Sequence, residues 1–152
     1  MNRNWMLLLG VILVTFATAG CEKYALDRQM KELCERDGGS RVFETVELPA
    51  HMFDESGYPF PGWRKRPDEN RLGINYIYVR KEKIIKNGNP LKGEGRLRRV
   101  QVKIIRKSDS KILGETVGYF RAGGDGVVIG HHTSNSCPAS GEPIEKLVFV
   151  KK

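Results

Sequence analysis

An apolar stripe runs along residues 22–36, a segment that is otherwise charged. Its members follow the spacing i, i+4, i+7 and i+8: Leu26, Met30, Leu33 and Cys34. This spacing places side chains on one face of an α-helix. Gly38 and Gly39 come next, and glycine is the usual residue just past a helix end. The pattern therefore predicts an amphipathic helix of about four turns.

The rest of the chain favours β-strands, because apolar and polar residues alternate there or β-branched residues dominate. The predicted strands are residues 41–48, 74–79, 99–104, 112–121, 127–129 and 144–150. The long loops, residues 51–71, 87–95 and 131–143, are too rich in glycine and proline for crossover helices. We expect an α+β fold, in which the N-terminal amphipathic helix packs on a twisted antiparallel sheet of five to six strands.

The composition agrees with one globular domain of ordinary size. The chain has 152 residues, of which 39% are hydrophobic and 29% charged. Those values are typical of a folded protein and exclude wholesale disorder. We expect residues 1–20 to be a leader and residues 21–152 to be a single domain.

The first 20 residues have the three parts of a secretory signal peptide. Arg3 lies in a short start, residues 6–17 are an apolar block, and residues 18–20 are small. The uncharged run over residues 4–21 is 18 residues long, at the lower limit for crossing the hydrocarbon core. An uncleaved membrane anchor is therefore an alternative to a removed leader.

Thr18-Ala19-Gly20-Cys21 resembles the lipobox of bacterial lipoproteins, with Thr18 at the position where leucine is usual. The resemblance implies that Cys21 is diacylated on sulfur and becomes the mature N-terminus, and two acyl chains suffice for stable anchoring. Glu22 follows the cysteine, and by the same resemblance this residue implies sorting to the outer membrane, with the domain facing the periplasm. The competing interpretation is a general signal-peptidase site over residues 17–19, which would release a soluble protein. Residues 34–49 resemble a stretch of small uncharacterised proteobacterial lipoproteins, a group that implies no activity.

The chain has three cysteines, Cys21, Cys34 and Cys137. An exported protein with an odd number leaves one thiol unpaired in an oxidising compartment. If Cys21 is lipidated, Cys34 and Cys137 are the one pair that remains, and we expect a disulfide between them. The alternative is two separate thiols.

Positive charge is concentrated in the middle of a chain whose formal net charge is +8. Residues 21–55 hold 5 basic and 9 acidic side chains, residues 64–107 hold 15 and 4, and residues 108–152 hold 5 of each. If neighbouring strands carry these cations, they form a positive face for lipid headgroups, lipopolysaccharide phosphates or an acidic protein. Nucleic acid is not an expected partner of an exported protein. The alternative is a solvated surface that blocks edge aggregation. The candidate contacts are Arg64, Lys65, Arg66, Arg96, Arg98 and Arg99.

Tyr58, Phe60 and Trp63 lie in a loop that prolines stiffen. Aromatic side chains on such a loop contact a partner, or they form a flap over one end of the core. The sequence leaves both interpretations open.

Candidate catalytic and metal-binding residues are few. His131 and His132 precede Cys137, but adjacent histidines in a strand point to opposite faces. Ser134, Ser136 and Ser140 lie outside any G-x-S-x-G motif, and residues 123–126 open no phosphate-binding helix.

We therefore expect no cofactor, no metal and no catalysis. The favoured function is a non-enzymatic binding or accessory domain that is lipid-anchored at the cell envelope. The alternatives are an inhibitor or immunity-type lipoprotein that blocks a partner protein, and an envelope enzyme whose site the motifs do not reveal.

Overall fold

The computed structural model of the chain describes residues 21–62, 65–67, 71–126, 130–139 and 141–152. The predicted leader, Trp63, Arg64, the predicted strand over residues 127–129 and Ser140 lie outside the described residues. Two helices are described, α1 (Cys21–Asp37) and the short α2 (Ile144–Val148). The described strands are β1 (Gly39–Val42), β2 (Val46–Leu48), β3 (Tyr76–Lys86), β4 (Arg96–Arg106), β5 (Ile112–Ala122), β6 (Ser134–Cys137) and β7 (Phe149–Lys151).

The predicted α+β class is confirmed, with one main helix and a five-stranded antiparallel sheet. The long strands β3, β4 and β5 lie side by side in that order. The outer edge of β5 is shared, since β1 pairs with its first half and β6 pairs with its second half. The sheet thus has three strands of 11 residues and one edge completed by two short strands.

Three stretches differ from the expectation. Residues 41–48 split into β1, which joins the main sheet, and β2, which pairs in parallel with β7. Residues 144–150 begin as α2 rather than as a strand, because Ile144 and Val148 are four residues apart and both bury on the same side of one helical turn. In addition, β6 lies within the predicted loop over residues 131–143.

One face of the sheet contacts α1. Leu26, Met30 and Cys34 of the predicted apolar stripe are buried against side chains of β4 and β5, namely Leu97, Val117 and Tyr119. A methyl group on Gly95 would lie 2.2 Å from the Leu26 side chain. The missing side chain at this position is what allows the helix to approach so closely.

The opposite face is covered at one end only. Val100, Val102 and Ile104 of β4 point to this side and pack with α2 and β7, chiefly with Ile144, Val148 and Phe149. At the other end of the same face, the side chains of β4 and β5 emerge into solvent, and Phe120 is 36% exposed. The uncovered end defines the surface described next.

Candidate binding groove

The uncovered end of the sheet forms an open groove of about 1050 Å³. Its floor consists of two rows of residues that lie directly opposite one another on neighbouring strands. The first row is Ile84, Arg98, Phe120 and Ser136, and the second is Arg96, Ala122 and Ser134. Residues opposite each other in antiparallel strands point to the same face, so both rows project into the groove. Pro90 and Leu91 line it on one side, and His132 and Ala139 on the other.

The groove has a large apolar component. Ile84 is 51% exposed, Leu91 is 79% exposed, and both line the groove with Phe120. The Phe120 ring lies beside Gly118, where an added methyl group would be 3.2 Å from a ring atom. Isolated apolar side chains are common on protein surfaces, but several lining one depression indicate a contact site.

Two arginines supply positive charge to the same surface. Arg98 Nη1 donates to both carboxylate oxygens of Glu82, at 3.2 and 3.3 Å, and its guanidinium lies 5.4 Å from the centre of the Phe120 ring. Arg96 Nε donates to the Gly88 carbonyl at 3.0 Å. Among the described residues, Arg96 makes no ion pair with a carboxylate, so its charge is the less compensated of the two.

The start of the described chain is fixed at the same end of the sheet. The Glu22 carboxylate pairs with Lys86, at the end of β3, and accepts the Gly95 N–H at 3.2 Å. The Lys23 N–H donates to the Gly124 carbonyl, just after β5, at 3.1 Å. The ammonium of Lys86 holds the pKa of Glu22 below its ordinary value. Cys21 is therefore one residue from a fixed point at the groove end of the sheet, on the face opposite the groove.

Further along α1, Asp27 binds a buried arginine of β5. Arg121 is 3% exposed, and its Nε donates to Asp27 at 2.8 Å. Its Nη1 donates to the carbonyls of Gly123 and Thr133, at 2.9 and 3.0 Å. The guanidinium is thus bonded on several sides, as burial of a charge requires.

At the other end of α1, the Tyr119 hydroxyl donates a hydrogen bond to Asp37 at 2.6 Å, and Arg99 donates two more to the same carboxylate, at 3.2 and 3.1 Å. The Tyr119 hydrogen bond, followed by the Arg99 contacts, lowers the pKa of Asp37. Burial raises the pKa of Tyr119. Together these contacts attach the last turn of α1 to β4 and β5.

The six cationic candidates are not on one surface. Arg96 and Arg98 line the groove, whereas Arg99 points to the opposite face and binds Asp37. Successive residues of a strand point to opposite sides, so a run of basic residues is divided between the two faces. Arg66 donates to the Pro61 carbonyl at 3.2 Å and lines a separate depression with Phe60 and Tyr76. Lys65 is exposed, and Arg64 lies outside the described residues. The expectation that Arg99 shares one positive face with Arg96 and Arg98 is therefore wrong, because Arg99 lies on the other side of the sheet.

Of the aromatic candidates, Tyr58 and Phe60 are described, and both contact the C-terminal segment of the chain. Phe60 is 7% exposed and packs edge-on against Phe149, with ring centres 5.2 Å apart. The Lys146 ammonium lies 4.4 Å from the centre of the Tyr58 ring. Phe60 therefore belongs to the flap over the core and has little surface for a partner.

Cys34 and Cys137 form a disulfide, with Cα atoms 6.0 Å apart, which joins α1 to β6. Cys137 is consequently not a thiolate ligand for the neighbouring histidines. His132 lines the groove and His131 is exposed. Within the described part of the chain, no three side chains of His, Cys, Asp or Glu are placed to hold a metal ion.

The sequence pattern did not predict the apolar lining of the groove, nor the buried ion pair of Asp27 and Arg121. Phe120 and Ile84 lie on the sheet face opposite α1, and α2 covers only one end of that face. Strand alternation in the sequence does not show which end stays uncovered. A signal for Arg121 did exist, since it follows Val117 and Tyr119 at a period of two, the spacing of one strand face.

Comparison with known proteins supplies no relative, because no family model, curated protein or solved structure matches the chain. Among the helices of the described residues, none is long and apolar enough to cross a membrane. The groove, the fixed start of α1 and the leader pattern are the observations that bear on function.

Proposed function

We propose that the chain is a lipid-anchored lipoprotein of the cell envelope, whose folded part binds a partner or ligand and catalyses no reaction. In this proposal residues 1–20 are removed and Cys21 carries the acyl chains. The lipobox-like Thr18-Ala19-Gly20-Cys21 supports the anchor. Glu22 supports an outer-membrane location facing the periplasm. The amphipathic helix α1, packed on the twisted sheet, joins the anchor to the rest of the domain.

The observation that carries the binding role is the open groove. It combines the exposed apolar side chains Ile84, Leu91 and Phe120 with the guanidinium groups of Arg96 and Arg98. A surface of this composition suits an anionic ligand that also has an apolar part, such as an envelope lipid or an acidic protein segment.

The contacts at the start of α1 support a short, stiff connection between the anchor and this groove. Glu22 and Lys23 are hydrogen-bonded to Gly95 and Gly124, so little free chain separates Cys21 from the sheet. An acylated Cys21 would hold the groove end of the domain close to the bilayer surface.

The anchor is tested by comparing Cys21→Ser with a double variant, Cys34→Ser/Cys137→Ser, in a bacterium that processes lipoproteins. The double variant removes two other thiols and keeps Cys21, so it controls for cysteine loss. We expect the mature wild type and the double variant to begin at Cys21 and to carry acyl chains in intact-mass measurements. The Cys21→Ser protein should carry none and should move to the soluble fraction.

Two results would contradict the anchor. The first is a wild-type mass without acyl chains. The second is a Cys21→Ser protein whose intact mass shows that the leader has been removed but which still sediments with membranes as the wild type does.

A further inference from the structure

The described contacts leave hydrogen-bond donors free in the groove. Among the described residues, Arg96 uses Nε on the Gly88 carbonyl, and Arg98 uses Nη1 on Glu82. A guanidinium has five N–H donors in a planar fork. Each arginine therefore keeps donors for a further acceptor, and the fork matches the oxygen atoms of a phosphate.

The two arginines lie two residues apart on β4, on the same face of the sheet. Side chains at such positions are about 7 Å apart along the strand, a separation that long arginine side chains span to reach one phosphate group. Ile84, on β3, and Phe120, on β5, flank Arg98 directly on either side. A ligand with a phosphate and a neighbouring apolar part would satisfy both kinds of surface at once.

If Cys21 is acylated, the groove end of the sheet lies close to the lipid headgroups. The first residues of α1 are fixed to Lys86, Gly95 and Gly124, all at the groove end of the sheet. Leu91, the most exposed of the groove's apolar residues, is in the connection between β3 and β4 at that same end.

We propose that the groove binds an anionic phospholipid of the membrane that holds the protein, with the lipid phosphate between Arg96 and Arg98 and the adjoining apolar part of the lipid against Ile84, Leu91 and Phe120. The inference rests on the lipid anchor proposed above, because the anchor brings headgroups to the groove. Glu82 binds Arg98 and also lines the groove, so a phosphate at Arg98 must displace this carboxylate or share the guanidinium with it.

The test uses the full-length protein as processed in cells, reconstituted in phosphatidylcholine nanodiscs doped with photoactivatable phosphatidylglycerol or photoactivatable phosphatidylcholine. Crosslinked peptides are mapped by mass spectrometry. We expect phosphatidylglycerol to label the peptides that hold Ile84, Leu91 and Phe120, and phosphatidylcholine to label them much less. Arg96→Ala/Arg98→Ala should reduce the labelling about tenfold, the factor that corresponds to losing roughly one charged hydrogen bond.

The matched control is Lys81→Ala/Lys83→Ala. It removes the same charge from β3, at residues that alternate with the groove-facing Glu82 and Ile84 and so point to the other face. Labelling by phosphatidylglycerol should survive in this variant. An equal loss in both double variants would overturn the proposal, because it would show attraction to overall charge.

Four further outcomes are decisive. Equal labelling by the two lipids would overturn the proposal, as would displacement of phosphatidylglycerol by an oligoglutamate peptide, which would identify an acidic protein segment as the occupant. The intact mass of the same sample separates the two proposals. An acylated protein without groove labelling overturns the lipid site and leaves the anchor standing, whereas an unacylated protein overturns both.

Discussion

Arg121 shows at the scale of one residue how a charge is kept inside this fold. Its guanidinium is buried, and Asp27 supplies the compensating charge from α1. Removing one partner of a buried ion pair is costly because the other charge stays buried without compensation. The pair therefore also fixes where α1 sits on β5.

Asp27→Asn should lower the free energy of unfolding by about 3 kcal/mol, because the amide keeps the shape of the side chain and removes its charge. Urea unfolding followed by circular dichroism measures the change. The control is Glu35→Gln on the same helix, whose exposed contact with Lys31 is 3.9 Å long and should be worth less than about 0.5 kcal/mol. If the two substitutions lower the free energy of unfolding equally, the buried charge of Arg121 does not need Asp27 for its compensation.

Glu145 is the opposite case, an acid whose burial is poorly compensated. It is 4% exposed, and burial raises its pKa above the ordinary 4.5 in spite of the charge of Arg71. The folded state therefore holds this proton more tightly than the unfolded state does. The stability that Glu145 contributes is full below pH 4.5 and falls as the pH rises towards the folded-state pKa.

Glu145→Gln should accordingly make the protein more stable than the wild type at neutral pH, and the gain should vanish in acid, where Glu145 is protonated in both states. Urea midpoints of the two proteins across the pH range measure this difference. Acid should still weaken both proteins, since Glu22, Asp37 and Asp125 have lowered pKa values and lose stability as the pH falls. A difference between the two proteins that does not change with pH would contradict the explanation.

At the scale of elements, the disulfide and the ion pairs attach α1 at different points. Cys34 is bonded to Cys137 of β6, Asp27 binds Arg121 near the start of the helix, and Asp37 binds Tyr119 at its end. The disulfide joins residues 103 positions apart, so it restricts a long loop in the unfolded chain. The polar contacts act only in the folded state.

Replacing both cysteines, as Cys34→Ala/Cys137→Ala, should lower the free energy of unfolding by up to about 4–5 kcal/mol on a chain-entropy account. The Asp27 and Asp37 contacts should keep α1 on the sheet, so amide exchange should quicken mainly in β6. Adding a reductant should destabilise the wild type by a similar amount and leave the double variant unchanged. If the double variant has the same free energy of unfolding as the wild type without reductant, the cross-link does not contribute to stability.

The elements also show what sequence pattern can and cannot predict. The stripe of α1 is regular over four apolar positions, so the helix is predictable, and the cysteine count leaves one pair once Cys21 is set aside. The division of the C-terminal segment into α2 and β7 is not predictable from the sequence. A stretch of five residues that begins with Ile144 and ends with Val148 fits a helix and a strand equally well. Arg96 and Arg98 could be named as candidates, yet their separation from Arg99 follows from strand alternation together with the position of α1.

For the whole molecule, the uneven charge of the sequence has a structural explanation. The acidic segment, residues 21–55, includes α1, and its carboxylates bind cations of the basic segment: Glu22 binds Lys86, Asp37 binds Arg99 and Glu44 binds Arg106. These three ion pairs join the two segments at partly exposed positions and offset three of the positive charges of the basic segment. The uncovered end of the sheet, in contrast, is a property of the folded molecule, because it depends on how far α2 and residues 50–60 reach across the sheet.

Together with the proposed acylation of Cys21, the same arrangement predicts how the protein is oriented on a membrane. Strand β4 has 11 residues, so its two ends are about 34 Å apart. Lys92 lies in the connection before β4, at the end where Glu22 and Lys23 are fixed, and Ser108 lies in the turn after it. A fluorophore on Lys92→Cys in the acylated protein should be quenched by nitroxide-labelled lipids several-fold more than one on Ser108→Cys. Both labelled proteins in detergent without nitroxide lipid give the unquenched reference. Equal quenching at the two positions, or stronger quenching at Ser108, would show that the groove end does not face the bilayer.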